Sequence, residues 1–393
     1  KTNPPLILIG ALGALGVLAA SSALAAPGVD TSQWKCSACP EPDKGVNASV
    51  DVGLGVVTDK SAKFGDFNGL DRKGGYLIGG GELRSRTESG YYNILSASDL
   101  GLRSRAIKAE TGQEGSFAVK LGYSEIAHSV SDSSATPFQG AGSTVQTLPG
   151  GFVSPTTAGM PLGTTLQTVE LGTKRTRYDL GAAFTGTENW THRVVFRRDV
   201  RDGTQRIGAS FFANAAQLVA PVDQITDQLE ASTTFTGRGG QATLAYQGSI
   251  FRNSAESLTW TNPFTTGVPG GDTGRMALAP DNQAHQLSGS ASYELSPTVR
   301  ASGEVSLGRM TQDAPFLAAT INGALGPVAL PSQSLHGKVD TFGASARLTA
   351  TPVDGLRLNA SLSRDKRNNK TPSLLYALVS TDLFLATSRT NQP

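Results

Sequence analysis

Two residues in the chain have both the chemistry and the spacing to act as a pair: Cys36 and Cys39, in the run Trp34-Lys35-Cys36-Ser37-Ala38-Cys39-Pro40, and no other cysteine occurs among the 393 residues. Thiols separated by two residues can exchange with a disulfide, close a tight disulfide of their own, or supply half of a metal site. Covalent haem attachment needs a histidine directly after the second cysteine, and Pro40 stands there. A structural zinc site needs about four ligands, whereas His128, His192, His285 and His336 are scattered through the chain. A local disulfide and a thiol-disulfide role both stay open. No other constellation has catalytic spacing. Serine and aspartate are plentiful, but nothing fixes a Ser-His-Asp arrangement, and the reading is that the chain is not an enzyme. Gly79-Gly80-Gly81 and Gly53-x-Gly55 precede no helix, so they mark bends or close strand approach, not phosphate loops. Asp272, Asp281 and Asn282 lack EF-hand spacing. Pro280-Asp281-Asn282 reads as a turn.

A second group of residues carries charge at alternate positions: Arg103, Arg105, Lys120, Arg193, Arg197, Arg300, Glu304, Arg347 and Arg357. Their neighbours explain the spacing. From His285, Leu287, Gly289, Ala291, Tyr293 and Leu295 alternate with Gln286, Ser288, Ser290, Ser292 and Glu294. After Ser296-Pro297-Thr298 the alternation resumes, with Val299, Ala301, Gly303, Val305 and Leu307 opposite Arg300, Ser302, Glu304 and Ser306. Period two is the signature of a β-strand, and two such runs around a short turn form an antiparallel hairpin with one apolar and one polar face. Each run has about ten residues, the length that crosses a bilayer when tilted.

The same pattern begins at Val46 and recurs at Phe117–Tyr123, Tyr178–Phe184, Trp190–Phe196, Ala242–Ile250, Phe342–Leu348 and Leu356–Leu362. In all it yields roughly fourteen strand candidates. Tight turns are expected at 111–115, 186–189, 237–240, 296–298 and 351–355, and long Gly/Pro/Thr-rich loops near 128–165, 200–226, 252–282 and 309–336. Short and long connections in alternation are the mark of a transmembrane antiparallel up-and-down β-barrel. In lipid an unpaired backbone group costs several kcal/mol, so such a sheet must close. The charged residues above then line the lumen, because a charge facing lipid at mid-depth costs about 2–4 kcal/mol.

Composition agrees. With 38% hydrophobic and 17% charged residues and a net charge of +2, the chain is too polar for a helical membrane protein and too neutral for a nucleic-acid partner. Residues 1–26, with an apolar run from Leu6 to Ala20 and Ala23-Leu24-Ala25 after it, read as a secretory signal peptide. Residues 27–45 then form a periplasmic N-terminal tail with the cysteine pair, and 46–393 the barrel. The ending Arg389-Thr390-Asn391-Gln392-Pro393 is not an amphipathic strand, so the expectation is a C-terminally truncated barrel of the bacterial outer membrane.

Several short stretches resemble the MtrB/PioB family, outer-membrane porins that accompany decahaem c-type cytochromes. They are Trp34-x-Cys36-x-x-Cys39, Thr136-Pro137-Phe138-Gln139-Gly140-x-Gly142, Asp202-Gly203-Thr204, Ala220-Pro221-Val222-Asp223, Ala279-Pro280-Asp281-Asn282, Leu335–Thr341, Arg364–Pro372 and the C-terminal five residues. The resemblance implies a barrel of about 26 strands that sheathes a periplasmic decahaem cytochrome and admits a second, outer-surface multihaem cytochrome. It also implies that the barrel binds no cofactor itself, with all haem carried by the partner, and that Cys36 and Cys39 match the family's cysteine pair. The competing reading is a general or solute-specific porin without a cytochrome.

Overall fold

The computed structural model describes residues 44–392 except 188, 212, 213, 381, 383 and 386. The expected signal peptide, the tail and Cys36 and Cys39 lie outside the described residues. From Lys44 onward the chain is a meander. Its strands are β1 (Gly45–Val57), β2 (Gly74–Arg86), β3 (Tyr91–Leu100), β4 (Ala106–Gln113), β5 (Phe117–Thr136), β6 (Val145–Gln146), β7 (Gln167–Thr187) and β8 (Trp190–Phe211). There follow β9 (Asn214–Gly237), β10 (Gly240–Asn253), β11 (Ser257–Thr261), β12 (Thr273–Ala277), β13 (Asn282–Ser296), β14 (Val299–Gln312), β15 (Gly337–Val353) and β16 (Leu356–Asn369). Thirteen of them form one antiparallel sheet in sequence order, with β6, β11 and β12 in a separate three-stranded sheet. No helix among the described residues is long and apolar enough to cross a membrane.

Connections sort by rim. At one rim lie only short turns: 87–90, 114–116, 188–189, 238–239, 297–298 and 354–355. The opposite rim carries 58–73, 101–105, 137–166, 212–213, 254–281 and 313–336. One expected loop is absent. Residues 200–226 are not a long loop but the paired ends of β8 and β9, whose outermost partners are Phe211 and Asn214. These strands have 22 and 24 residues, against 14 or 15 in β10, β13 and β14. Residues 128–136 likewise belong to β5.

Register ties the alternation of each strand to that of the next. One row of partners runs Leu121, Leu180, Phe196, Leu229, Gly248, His285, Arg309, Asp340 and Asn368. Residues in one row point to the same face. Val46, Val50, Val52, Leu54 and Val56 of β1 therefore share a face with Leu77, Leu83, Leu95, Ile107, Leu121, Leu180, Val194, Leu244, Leu287, Val305, Leu348 and Leu362. Val50 and Leu54 are 80% and 87% exposed. Soluble proteins seldom expose contiguous apolar patches beyond a few hundred Å², and a face spread over thirteen strands exceeds that by far. This face is built to meet lipid.

Its height can be read along the strands. From the turn rim to the first charged residue on the apolar face the interval is eight residues in Phe117 to Glu125, Trp190 to Arg198 and Leu356 to Arg364, and ten in Val299 to Arg309. At a rise of about 3.3 Å per residue that is roughly 26–33 Å along the strand, or about 20–25 Å vertically at a tilt near 40°. Aromatic side chains mark the turn-rim border. Tyr91 meets Phe117 edge-on at 5.7 Å, and Trp190 lies 5.1 Å from Phe235; Phe184 and Tyr293 share that border. Tyr123 and Tyr178, 5.4 Å apart, mark the other. Interfacial girdles of this kind flank the apolar band of membrane barrels.

The two outer strands, β1 and β16, each have one neighbour in the sheet. Both start at the turn rim. Thirteen strands in meander order leave them running in the same direction, so pairing β1 directly with β16 would make a parallel ladder. An all-antiparallel closure takes an odd number of strands between them.

Candidate functional site

The polar face is the surface that a closed barrel turns inward. It is lined largely by small groups: Ser288, Ser290 and Ser292 on β13, Ser302 and Ser306 on β14, Gly343 and Ser345 on β15, Ser361 and Ser363 on β16. Charged residues are set among them in ion pairs. Lys120 Nζ lies 2.9 Å from Glu110 Oε2, and Tyr92 Oη donates to Glu110 Oε1 at 2.9 Å. Arg197 Nε donates to Asp179 Oδ1 at 2.8 Å. Next along the same strands, Arg175 and Arg177 both donate to Asp199 Oδ1, at 2.8 and 2.9 Å. Asp199 is buried, and two guanidinium groups offset the cost of removing its charge from water.

The sequence-derived set divides on this surface. Lys120, Arg193, Arg197, Arg300, Glu304, Arg347 and Arg357 stand on the polar face of β5, β8, β14, β15 and β16. Among the described residues Arg193, Arg300, Glu304, Arg347 and Arg357 have no ion-pair partner. Arg103 and Arg105 differ from expectation. They sit in the connection 101–105 at the loop rim, because β3 ends at Leu100. There Arg103 Nη1 holds Asp71 Oδ2 at 2.8 Å and Arg105 Nε holds Glu125 Oε2 at 2.8 Å. Arg103 thus clamps one loop to another, and Arg105 clamps loop to strand.

The four histidines are likewise accounted for. His192 stacks between Phe184 and Trp190 on the apolar face, and His285 Nδ1 is 2.7 Å from Tyr246 Oη. His128 Nδ1 contacts Asp66 Oδ1 at 2.9 Å. His336 comes nearest to catalytic company: its Nδ1 is 3.0 Å from Ser334 Oγ and 2.8 Å from Asp313 Oδ1. Both partners use the same ring nitrogen, and Ser334 Oγ donates directly to Asp313. A proton relay needs serine and aspartate on opposite ring nitrogens, so this cluster fastens a loop. The Ser334 hydroxyl, with His336 beside it, holds the Asp313 carboxyl below the usual aspartate range.

Above the band the loops build a core of their own, which the sequence pattern does not announce. Phe138, Phe211, Leu218, Leu258 and Trp260 are buried together, with Phe264, Leu148 and Met276 against them. Phe211 meets Trp260 edge-on at 5.8 Å. Within it Gln146 is fully buried, its Nε2 donating to Val219 O at 2.5 Å and its Oε1 accepting from Val219 N at 3.4 Å. Asp382 accepts from Thr320 Oγ1 at 2.6 Å and from the backbone of Ile321 and Arg275, which ties the segment after β16 to two loops. At the exit from the band, Gly203 (φ +136) packs so close that a Cβ would lie 2.3 Å from Gly172 O; only glycine fits.

Comparison with known proteins decides what the sheet belongs to. The family profile of the outer membrane beta-barrel porins, MtrB/PioB, matches residues 57–393. The chain belongs to the MtrB/PioB family. It is 30% identical over 345 residues to the outer membrane protein MtrB of Shewanella baltica (strain OS185), covering 87% of this chain and 48% of that protein. The chain thus spans about half the length of the curated relative it matches. Solved structures with similar strand layout include outer-membrane-expressed OmpT of Vibrio cholerae, with 7% identity, 89% and 95% coverage and a TM-score of 0.32. The ferric-catecholate import receptor Fiu of E. coli K12 gives 11% identity, 86% and 55% coverage and a TM-score of 0.34. Superpositions this loose carry no argument. Family membership places the protein in the outer membrane, with the short turns at the periplasmic rim and the long loops outside.

Proposed function

We propose that the protein is a non-catalytic wall around a periplasmic multihaem c-type cytochrome, holding it across the outer membrane for extracellular electron transfer. Family membership is the observation that carries this reading. The wall supports it physically. A barrel that sheathes a folded body needs a wide interior, and about half of the polar-face positions of β13 to β16 are Ser, Gly or Thr, with Arg300, Glu304, Arg347 and Arg357 set among them as contacts. Lys120, Arg177 and Arg197 on β5 to β8 are held by ion pairs with neighbouring strands, while Arg193, without an ion-pair partner among the described residues, stays free to meet a partner. Both the decahaem cytochrome inside and a multihaem cytochrome docked on the external loops belong to this proposal. So do residues 1–26 as signal peptide, 27–45 as periplasmic tail and 46–393 as barrel.

In this reading haem is carried only by the partner, and no C-x-x-C-H motif occurs in the chain. The wall contributes insulation and position. Tunnelling between haems needs a fixed path, and low-dielectric lipid outside a closed sheet keeps that path from the membrane. The lumen-facing Lys120, Arg193, Arg197, Arg300, Glu304, Arg347 and Arg357 are the proposed contact set.

Conductance tests the reading. The barrel reconstituted alone into planar bilayers should conduct ions, and adding its periplasmic cytochrome should close that conductance while electrons cross to an enclosed acceptor. Open-pore conductance that persists with the cytochrome present, together with selective sugar or ion flux, would instead establish a solute porin.

A further inference from the structure

We propose that the outer-leaflet border of β14, β15 and β16 is a binding site for a phosphorylated glycolipid, with acyl chains on the apolar floor and phosphates on the cations above. The proposal rests on the family's placement in the outer membrane, which sets the loop rim outside. The floor is one register row on the lipid-facing side: Tyr246, Leu287, Leu307 and Phe342, ending at Lys366. Directly above, Arg309 Nε donates to Asp340 Oδ1 at 2.7 Å, and Lys370 Nζ lies 2.7 Å from Asp340 Oδ2. A cavity of about 550 Å³ opens between floor and cations.

The charge balance is one-sided. Arg309, Lys338, Arg364, Lys366 and Lys370 all stand on this face by register, against the single carboxylate of Asp340. The carboxylate of Asp365 belongs to the opposite face. Among the described residues Lys338, Arg364 and Lys366 have no ion-pair partner. Cations at a membrane border commonly snorkel toward water, but snorkelling needs no carboxylate to fix two of them in place. Here Asp340 holds Arg309 and Lys370 on either side of itself, as Asp227 holds Arg198 and Arg252 on the same face nearby, at 2.7 and 2.8 Å. The lipid-facing positions at the turn rim carry aromatic and aliphatic groups instead, such as Tyr91, Phe117, Phe184, Phe235 and Leu356. The asymmetry places the lipid-facing cations at the outer leaflet, within reach of its headgroups. Arginine and lysine side chains bind phosphate oxygens through charge-assisted hydrogen bonds.

Native mass spectrometry of the complex purified from outer membranes in mild detergent tests this. The wild type should retain bis-phosphorylated lipid A. The variant Lys338→Gln/Arg364→Gln/Lys366→Gln leaves the Asp340 ion pairs intact, so it should reach the membrane at normal abundance. At about fivefold per cation near a membrane surface, it should bind lipid A roughly a hundredfold more weakly. Dephosphorylated lipid A should bind wild type and variant equally weakly. Unchanged lipid A retention in the variant would overturn the proposal. So would equal binding of phosphatidylglycerol vesicles, which would show unspecific attraction to anionic lipid, or full competition by millimolar inorganic phosphate, which would show a free-anion site. A wild-type complex that retains lipid A but carries no haem would speak against the reading of the lumen and leave this site standing.

Discussion

Placing an arginine at Val305 or at Ser306 separates the two faces of the sheet by one residue. Val305 is on the apolar face, six residues from Val299 at the turn rim and four from Arg309 at the external border, in the row Gly289, Val305, Ala344. In a band ten residues high on this strand, its side chain lies near the bilayer centre. Val305→Arg should therefore cost about 2–4 kcal/mol, a factor of roughly 30 to 1,000 in the folding equilibrium. Ser306 pairs with Ser288 and Gly343 on the polar face, where an arginine stays in water, so Ser306→Arg should cost under about 0.5 kcal/mol. Ala301→Arg, on the apolar face at the periplasmic border, should cost about 0–1 kcal/mol. Reversible urea unfolding from phosphatidylcholine vesicles, followed by tryptophan fluorescence, gives the three values. Equal costs for Val305→Arg and Ser306→Arg would refute the assignment of faces. Equal costs for Val305→Arg and Ala301→Arg would refute the band height.

The external core should behave as a separate unit of stability. Trp260→Ala should cost about 3–5 kcal/mol locally, read as faster protease cleavage in 137–166 and 254–281 with the membrane-embedded sheet still intact. Gln146→Met leaves the buried Val219 N–H without its partner, while Val219 O keeps the Gly142 N–H, and should open the same loops by about 1–3 kcal/mol. Acidification tests the fastening of 313–336. Because Asp313 titrates below its ordinary range, its ionised form gives full support at neutral pH, and that support is lost as the pH falls through its lowered folded value. Cleavage within 313–336 should therefore rise only below the usual aspartate range, and Asp313→Asn should cleave rapidly at every pH. Replacing Cys36 and Cys39 with Ser should lower barrel abundance while leaving turnover per assembled complex unchanged; a fall in turnover at constant abundance would put the pair in the electron path.

Alternation made the membrane-embedded strands legible because lipid on one side and water on the other impose period two on each of them. The hairpins at 188–189, 238–239, 297–298 and 354–355 fall within the turns expected from Gly, Pro, Asn and Asp, since chain reversal there needs those residues. Above the band the constraint vanishes. Residues 200–226 show no clean alternation, because both faces of β8 and β9 leave the lipid there, so a paired hairpin looked like a loop. Arg103 and Arg105 kept the right spacing by accident: the strand stops at Leu100, and Gly101 (φ +97) turns the chain before they are reached. The external core was hidden for another reason. Phe138, Phe211, Leu218, Leu258 and Trp260 come from four separate stretches of chain, and only the meander brings them together. The outward cations had a signal that was available. Arg309, Arg364 and Lys366 each break the apolar parity of their own strand at its external end, and counting from the turn rim to that break gives the thickness of the band.

Haem content measures the central claim most directly. The protein, affinity-purified from outer membranes in mild detergent, should show a Soret band corresponding to several haems per barrel, although its own sequence has no haem attachment motif. A folded, heat-modifiable barrel with no Soret absorbance would contradict the account and leave a porin with an open lumen.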